Sequence, residues 1–229
     1  MDRLHSAEQP TLIVDQIHAD IKERIIQGCL KPDQKLSVRE LCEYYNVSDT
    51  PIKQALNRLV SERFVTSLPR RGMRVRCITK RDIHESIEAR KMVELFAIPF
   101  AIAKAFSDPD FLRALEANLQ QDEQLLLELE NAGHYSEKAM EELTVSLEFH
   151  RLFVSCVENS IILESYHNIV NHQHVYYQHR KDKSRAMAAS LNEHKQIFAC
   201  LKAGDETALI ASILNHLTVR EKDATSVID

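Results

Sequence analysis

Between residues 37 and 61, the pattern of apolar and polar positions predicts two short helices joined by a tight turn. Ser37 and Glu40 have the spacing of a capping box, which opens the first helix. Ser48 is a good N-cap for the second helix, and Pro51 falls in its first turn, where a missing amide hydrogen is tolerated. The apolar residues of the second helix recur at helical spacing and would bury one face: Ile52, Leu56, Leu59 and Val60.

The opposite face of the second helix carries side chains suited to DNA: Thr50, Lys53, Gln54, Asn57 and Arg58. Amide and guanidinium groups reach base edges, whereas lysine, arginine and threonine also reach phosphates. Two short β-prone runs follow at residues 64–66 and 73–76, and the Pro-Arg-Arg-Gly sequence at 69–72 that joins them is typical of a hairpin wing. The whole segment therefore predicts a winged helix-turn-helix that reads DNA.

Positive charge is concentrated in the same part of the chain. Residues 1–79 hold 13 Lys and Arg against 10 Asp and Glu, and the remainder holds 16 against 24, so a net charge of +3 precedes one of −8. Residues 63–76 contain five arginines and no acidic residue. A charge run is usually a solvated face, but a basic patch at one end of an acidic protein is the footprint of phosphate binding.

Helical periodicity dominates the rest of the chain. Six segments show it, at about residues 79–106, 108–131, 136–156, 160–177, 184–203 and 205–226. With 229 residues, the chain exceeds one winged helix of roughly 75 residues by about 150, enough for a second core. The predicted fold is mainly α, with a winged helix-turn-helix at residues 1–77 and an all-α helical bundle at residues 78–229.

Cysteine usage and hydropathy bear on the compartment. The five cysteines form no Cys-x-x-Cys pair and are odd in number, which favours reduced intracellular thiols over a disulfide frame or a thiolate zinc site. No apolar run has the length of a membrane span or the pattern of a signal peptide. We therefore expect a cytoplasmic protein with no membrane partner.

The second predicted helix also carries a family resemblance. Residues 47–59 read Val-Ser-Asp-Thr-Pro-Ile-Lys-Gln-Ala-Leu-Asn-Arg-Leu, with Leu-Lys-Pro at 30–32 before them and Arg-Arg-Gly at 70–72 after them. This pattern resembles the DNA-binding half of the GntR family of bacterial transcription regulators, over nearly all of the first 76 residues. The resemblance implies double-stranded operator DNA as a partner, with contacts from Arg39, Ser48, Thr50, Lys53, Arg58, Arg71 and Gly72.

Two positions depart from the family's usual pattern. Asp49 stands where the family usually has an arginine after Val-Ser, and Lys53 stands where it usually has a second arginine. At Asp49 an anion replaces a cation, so the family's contact at that position does not carry over. A carboxylate in the first turn of a helix complements the helix dipole.

Three short motifs mark the second half: Glu88-Ala89-Arg90 with Glu94, Phe149-His150, and Glu193-His194 followed by His216. With six helices behind a DNA-binding head, they resemble the FCD ligand-sensing domain of the FadR branch of the GntR family. The resemblance implies a divalent transition metal, zinc or nickel, bound by His150, His194 and His216. The family's aspartate ligand, one helical turn before the first histidine, is replaced by Ser146, which predicts weaker metal binding.

The resemblance further implies an effector pocket beside the metal. A guanidinium binds a carboxylate with two hydrogen bonds, so Arg90 is a predicted effector contact and the effector is predicted to be a small carboxylate. Ser146 is the second predicted effector contact. Arg180 and Arg185 are further candidates for this role. The alternative for Arg90 is a surface ion pair with Glu94, one turn on, and the alternative for the three histidines is an ordinary hydrogen-bonded core position.

These features predict a homodimeric, effector-responsive transcription regulator. Its winged helices would dock on an inverted repeat, and its helical domain would hold the dimer together and respond to a small organic acid. A metal-free pocket for an acyl thioester is an alternative that the missing aspartate keeps open. A metal-dependent hydrolase is disfavoured, because no carboxylate base follows the three histidines in a recognisable motif, and we expect the protein not to be an enzyme.

Overall fold

The computed structural model describes residues 10–132, 136–177, 183–226 and 228. The chain divides after Ile78 into two compact units. The first unit combines helices with a small antiparallel sheet, and the second is built from helices.

The first unit is a winged helix-turn-helix, as the sequence predicted. Its elements are α1 Pro10–Ile26, β1 Lys35–Leu36, α2 Val38–Tyr45, α3 Asp49–Ser61, β2 Val65–Leu68 and β3 Gly72–Val75. All strand pairs are antiparallel in the order β1-β3-β2, and Arg74 of the central strand lies opposite both Lys35 and Thr66. The β2–β3 hairpin is the predicted wing.

The core of the first unit depends on α1, for which the sequence interpretation made no prediction. This helix packs against α3 and buries Ile17, Ile21 and Ile25, which are spaced four residues apart on one face. The predicted apolar face of α3 is confirmed at Ile52 and Leu56, both completely buried. α1 and α3 together therefore fix which side of α3 is left for solvent.

Local capping sets the ends of α2 and α3. Ser37 accepts a hydrogen bond from the Glu40 amide at 3.4 Å, which is one of the two bonds of the predicted capping box. Asn46 ends α2 in the left-handed region with φ of 55°, a conformation that asparagine tolerates well. Ser48 occupies the N-cap position of α3 with extended backbone, although its side chain makes no capping bond within the described residues.

Six α-helices make up the described part of the second unit, and each begins and ends within two residues of its predicted bounds. They are α4 Lys80–Ser107, α5 Pro109–Ala132, α6 Ser136–Val154, α7 Ser160–Tyr177, α8 Lys183–Ala203 and α9 Glu206–Thr225, with a 3-10 turn at Ser155–Val157 after α6. The start of α4 has a complete capping box between Thr79 and Asp82. The mainly α fold is thereby confirmed.

The long helix α4 lies at the centre of the bundle. It packs against α9, α7 and α6, and it buries Ile83, Ile87, Ala97 and Ile98 along the way. Within the described part of the chain, no helix is both long and apolar enough to cross a membrane. All five cysteines are free thiols in this structure.

Candidate functional site

The predicted DNA-contacting residues share one property in the structure, which is exposure. All seven are solvent-exposed: Arg39, Ser48, Thr50, Lys53, Arg58, Arg71 and Gly72. They belong to α2, to the start and outer face of α3, and to the tip of the wing. Side chains on these elements are therefore available to a duplex, as phosphate and base contacts require.

Three of the predicted DNA-binding cations already have a carboxylate partner. Lys53 Nζ lies 2.5 Å from Asp49 Oδ2 within α3, Arg39 Nε lies 3.1 Å from Glu43 Oε1 within α2, and Arg58 forms an ion pair with Asp15 of α1. The sequence interpretation named these residues as DNA contacts and predicted no partners for them. Spacings of four residues could have revealed the first two pairs, whereas the third depends on the packing of α1 against α3.

The wing tip is a tight turn with two residues in the left-handed region. The Arg71 amide donates to the Leu68 carbonyl at 3.0 Å, and Gly72 has φ of 81°. Arg70, which precedes Arg71 in the turn, has φ of 61°, which is uncommon for a residue with a Cβ atom. The turn therefore presents two adjacent arginines on a short, constrained backbone.

Three imidazoles converge inside the second unit. His150 of α6, His194 of α8 and His216 of α9 are each at most 2% exposed. His150 Nε2 lies 2.9 Å from His194 Nε2 and 3.0 Å from His216 Nε2. Two nitrogens bound to one tetrahedral zinc ion at 2.0–2.1 Å would lie about 3.3 Å apart, so these separations are within a few tenths of an ångström of a metal site.

The outer nitrogens of two of these rings meet carboxylates. His150 Nδ1 lies 3.1 Å from Glu94 Oε2, and His216 Nδ1 lies 2.7 Å from Glu193 Oε2. Because an ionised carboxylate only accepts hydrogen bonds, both rings carry their proton on Nδ1 and direct the Nε2 lone pair inward. Such carboxylate partners are the usual outer support of metal-binding histidines.

Burial keeps this cluster neutral. Desolvation lowers the pKa of all three imidazoles, and the nearby Arg90 guanidinium lowers them further. Two inward lone pairs 3.0 Å apart repel each other unless a cation lies between them. The donor set therefore fits a divalent transition metal with three neutral imidazole ligands and an open position.

A cavity opens beside the three histidines. With its mouth it encloses about 330 Å³ of empty space, and besides the three histidines its polar wall contains Arg90, Glu142, Ser146, Ser190 and Arg220. Its apolar wall consists of Leu143, Leu147, Ala186 and Met187. Ser146 thus lies where the sequence placed it, on the cavity wall one turn before His150.

Arg90 was predicted either to contact the effector or to form a surface ion pair with Glu94, and the structure agrees with part of each prediction. Its Nε lies 2.7 Å from Glu94 Oε1, so the ion pair forms, but the two side chains are 1% and 0% exposed. The alternative of a surface ion pair is therefore wrong, and Arg90 lines the cavity instead. Arg180 lies outside the described residues, and so does the side chain of Arg185.

A pair of buried acids, one of them on the cavity wall, was missed by the sequence interpretation. Glu142 of α6 lines the cavity two helical turns before His150, and Asp122 of α5 lies within hydrogen-bonding reach of it. Burial raises the pKa of Asp122 to about 7, so this carboxyl group keeps its proton to far higher pH than an exposed aspartate does. The regular spacing of Glu142, Ser146 and His150 on one face of α6 could have identified Glu142.

The sequence matches two family models. "Bacterial regulatory proteins, gntR family" matches residues 13–75, and the FCD domain matches residues 85–219. The chain is a member of the GntR family. As such it is a transcription regulator with an FCD effector-binding domain, and it is not an enzyme.

Individual GntR-family relatives extend over most of the chain. The protein is 24% identical over 212 residues to the HTH-type transcriptional regulator YdhC of Bacillus subtilis, covering 91% of this chain and 89% of that one. It is 30% identical over 145 residues to the HTH-type transcriptional repressor GlaR of Escherichia coli, covering 63% of each chain. A solved GntR transcriptional regulator from Rhodococcus sp. RHA1 has the same fold, with a TM-score of 0.75 at 22% identity over 94% of this chain and 99% of that one.

We expect Asp122→Asn in this GntR-family protein to raise the unfolding temperature more at pH 8 than at pH 5. The pKa of Asp122 is raised in the folded state, so that state keeps the proton up to about pH 7, while the unfolded chain loses it above about pH 4. Wild-type stability therefore falls as pH rises through this window, and the amide removes that loss. Calorimetry at both pH values measures the effect.

Glu116→Gln is the matched control, because Glu116 is an exposed acid on the same helix. Its effect on the unfolding temperature should be the same at pH 5 and pH 8. An equal increment for Asp122→Asn at the two pH values would show that the pKa of Asp122 is not raised in the folded state.

Proposed function

We propose that this regulator binds an operator as a homodimer and responds to a small organic acid held beside a divalent transition metal in its helical unit. The observation that carries the effector half is the convergence of His150, His194 and His216 on the wall of a cavity that also contains Arg90 and Arg220. In this proposal residues 1–77 bind DNA, and residues 78–229 bind the effector and dimerise.

The three imidazoles would hold the metal, with zinc or nickel as the ions that neutral imidazole suits. A bound cation supplies an electrophilic anchor for an anionic ligand. Ser146 contributes no negative charge at the position where an aspartate would, so the site stays more positive and retains an additional open position. This favours capture of a carboxylate at the expense of metal affinity.

The cavity also argues for the size and charge of the effector. The room inside the cavity is small, which favours a small acid over a bulky acyl thioester. The guanidinium groups of Arg90 and Arg220, both at most 3% exposed, supply positive charge in a medium of low dielectric constant. A carboxylate that enters this cavity competes with Glu94 for Arg90, and with Glu193 and Asp223 for Arg220, where water screens the charges poorly.

For the DNA-binding unit we propose that α3 enters the major groove and the wing lies along the minor groove. Exposure of Thr50 and Lys53 on α3, and of Arg71 beside the permissive backbone of Gly72, supports this arrangement. Arg39 and Arg58 would contact phosphates from the flanking positions. On binding DNA, Arg39, Lys53 and Arg58 would each exchange a carboxylate partner within the protein for a phosphate.

The homodimer is proposed to form through α4. On the solvent side of this helix Met92, Phe96 and Phe100 are 69%, 50% and 43% exposed and lie four residues apart, and the two phenyl rings are 5.2 Å apart. We call this row the α4 stripe. Two identical stripes can cover each other in a two-fold interface, and two DNA-binding units tethered in this way gain affinity through effective concentration.

We expect Lys53→Ala and Arg71→Ala each to weaken operator binding and to flatten its salt dependence. Each lost phosphate contact removes about one unit from the slope of log affinity against log salt concentration. Fluorescence anisotropy over a salt series measures both quantities. Lys202→Ala, which removes an exposed lysine of the second unit, is the matched control and should change neither.

If both variants kept the wild-type affinity and slope, the proposed docking of α3 and the wing would be wrong. A loss of affinity with an unchanged slope would show that these side chains act without contacting phosphate.

We expect His194→Ala to abolish stoichiometric metal binding while the protein stays folded, and Ser146→Asp to tighten metal binding. The first change removes one of three ligands, and the second adds an anionic ligand one turn from His150. Elemental analysis of protein purified without a metal-affinity tag, followed by titration with Zn²⁺ and Ni²⁺, measures both effects.

His167→Ala is the control for this experiment, because His167 is an exposed histidine on α7. It should bind metal as the wild type does. Absence of stoichiometric metal from the wild type in both measurements would leave a metal-free pocket as the better account of the cavity.

We expect the wild type to sediment as a dimer at micromolar concentration, and a variant with Phe96→Glu and Phe100→Glu to sediment as a folded monomer. Both side chains are exposed, so the charges disrupt a self-complementary apolar contact without entering the core. Ile161→Glu, at a 76% exposed position on α7, is the control and should remain dimeric. A monomeric wild type contradicts the dimer, and a dimeric double variant contradicts the α4 stripe.

A further inference from the structure

We propose that Asp49 is a base-reading residue, whose carboxylate accepts a hydrogen bond from the N4 amino group of a cytosine in the major groove of the operator. The inference rests on the proposed docking of α3 and goes beyond it, because it assigns a preferred base to one side chain. Asp49 also differs in charge from the residue that the family usually has at this position, so that residue's contact does not carry over.

The position of Asp49 suits base contact. It is the first residue of α3, and N-terminal residues of a recognition helix are the ones that approach base edges. Its side chain is 57% exposed, and its neighbours Ser48 and Thr50 are exposed as well. Among the described residues, this carboxylate is therefore accessible to a duplex that approaches the start of α3.

The charge of Asp49 limits what it can recognise. The hydrogen bond and positive charge of Lys53 lower the pKa of Asp49, so the group is an anion at neutral pH and can only accept hydrogen bonds. In the major groove, guanine and thymine present acceptors, which repel it, and adenine presents a donor next to the N7 acceptor. Cytosine presents the N4 donor and no acceptor of its own in this groove, so it is the base that best matches this carboxylate.

Lys53 offsets the repulsion between the Asp49 carboxylate and the phosphates of DNA. Its ammonium lies 2.5 Å from Asp49 and offers two further donor hydrogens, which can reach the acceptors of a guanine or a phosphate. The pair thus presents an acceptor and a donor side by side, one helical turn apart. This arrangement matches a cytosine next to a guanine, whereas a free carboxylate would be repelled by the phosphates.

The test begins with selection of operator sequences from a random duplex pool by the wild-type full-length protein. We expect a half-site with a fixed cytosine that becomes adenine when Asp49→Asn is used, because asparagine pairs with adenine N6 and N7. At that position, replacement of cytosine by 2-pyrimidinone, which lacks the N4 amino group, should weaken wild-type binding about fivefold or more. Asp49→Ala should bind both duplexes equally.

Glu43→Gln is the matched control, because Glu43 is also an exposed carboxylate paired with a cation of the DNA-binding unit. It should keep the cytosine preference. If Asp49→Ala kept the wild-type preference, or changed affinity equally for all sequences, Asp49 would act only on Lys53 or on the helix dipole and the inference would be wrong. Failure of the wild type to select any half-site would instead contradict the proposed docking.

Discussion

The carboxylate of Glu94 has no access to water, and its need for charge and hydrogen-bond partners constrains the packing of the helical unit. Glu94 is 0% exposed, and burial alone would raise its pKa, yet Arg90, His150 and Tyr166 together lower it to about 2. A buried anion of this kind is tolerated only with charge and hydrogen-bond partners. Its partners come from α4, α6 and α7, so one side chain fixes the relative placement of three helices. The hydrogen bond between Glu94 and His150 keeps the His150 proton on Nδ1 and turns Nε2 toward the other two imidazoles.

The ion pairs of the DNA-binding unit obey different physics because they are exposed. Pairs such as Lys53 with Asp49 contribute little to stability, since water and salt screen them. Their effect falls on binding, because a phosphate has to compete with a carboxylate that is already in place. The gain from each phosphate contact is correspondingly smaller than for a free cation, so more of the discrimination between sequences depends on base contacts.

Much of the fold could be predicted because its signals are local. Caps and helix breakers set the ends of the six helices of the second unit, and the apolar spacing of α3 gave its buried face. The positions of the three histidines came from the family resemblance, and the structure brings their Nε2 atoms together. The four-residue spacing of Ile17, Ile21 and Ile25 also indicates a buried helical face, so α1 could have been predicted in the same way.

What could not be predicted depends on contacts between helices. Nothing local to Asp122 indicates that it meets Glu142, since the two acids lie on different helices and the pairing depends on how α5 packs on α6. The burial of Arg90 had the same origin, because a spacing of four residues predicts a pair with Glu94 on a surface and in a core alike. Arg220 is intermediate: it follows His216 by one turn, which places it on the same face, but only the packing of α8 shows that this face borders a cavity.

The arrangement of α4 suggests how the two proposed activities of the helical unit communicate. Arg90 and Glu94 lie on the face toward the cavity, and the α4 stripe lies on the opposite face, because a two-residue offset rotates a side chain by about 200° around a helix. An effector carboxylate that draws on the Arg90 guanidinium competes with Glu94, whose other bonds hold α6 and α7. In the proposed dimer, a resulting change in the position of α4 would reach the α4 stripe. Effector binding and the dimer contact would then be linked through one helix, as allosteric coupling requires.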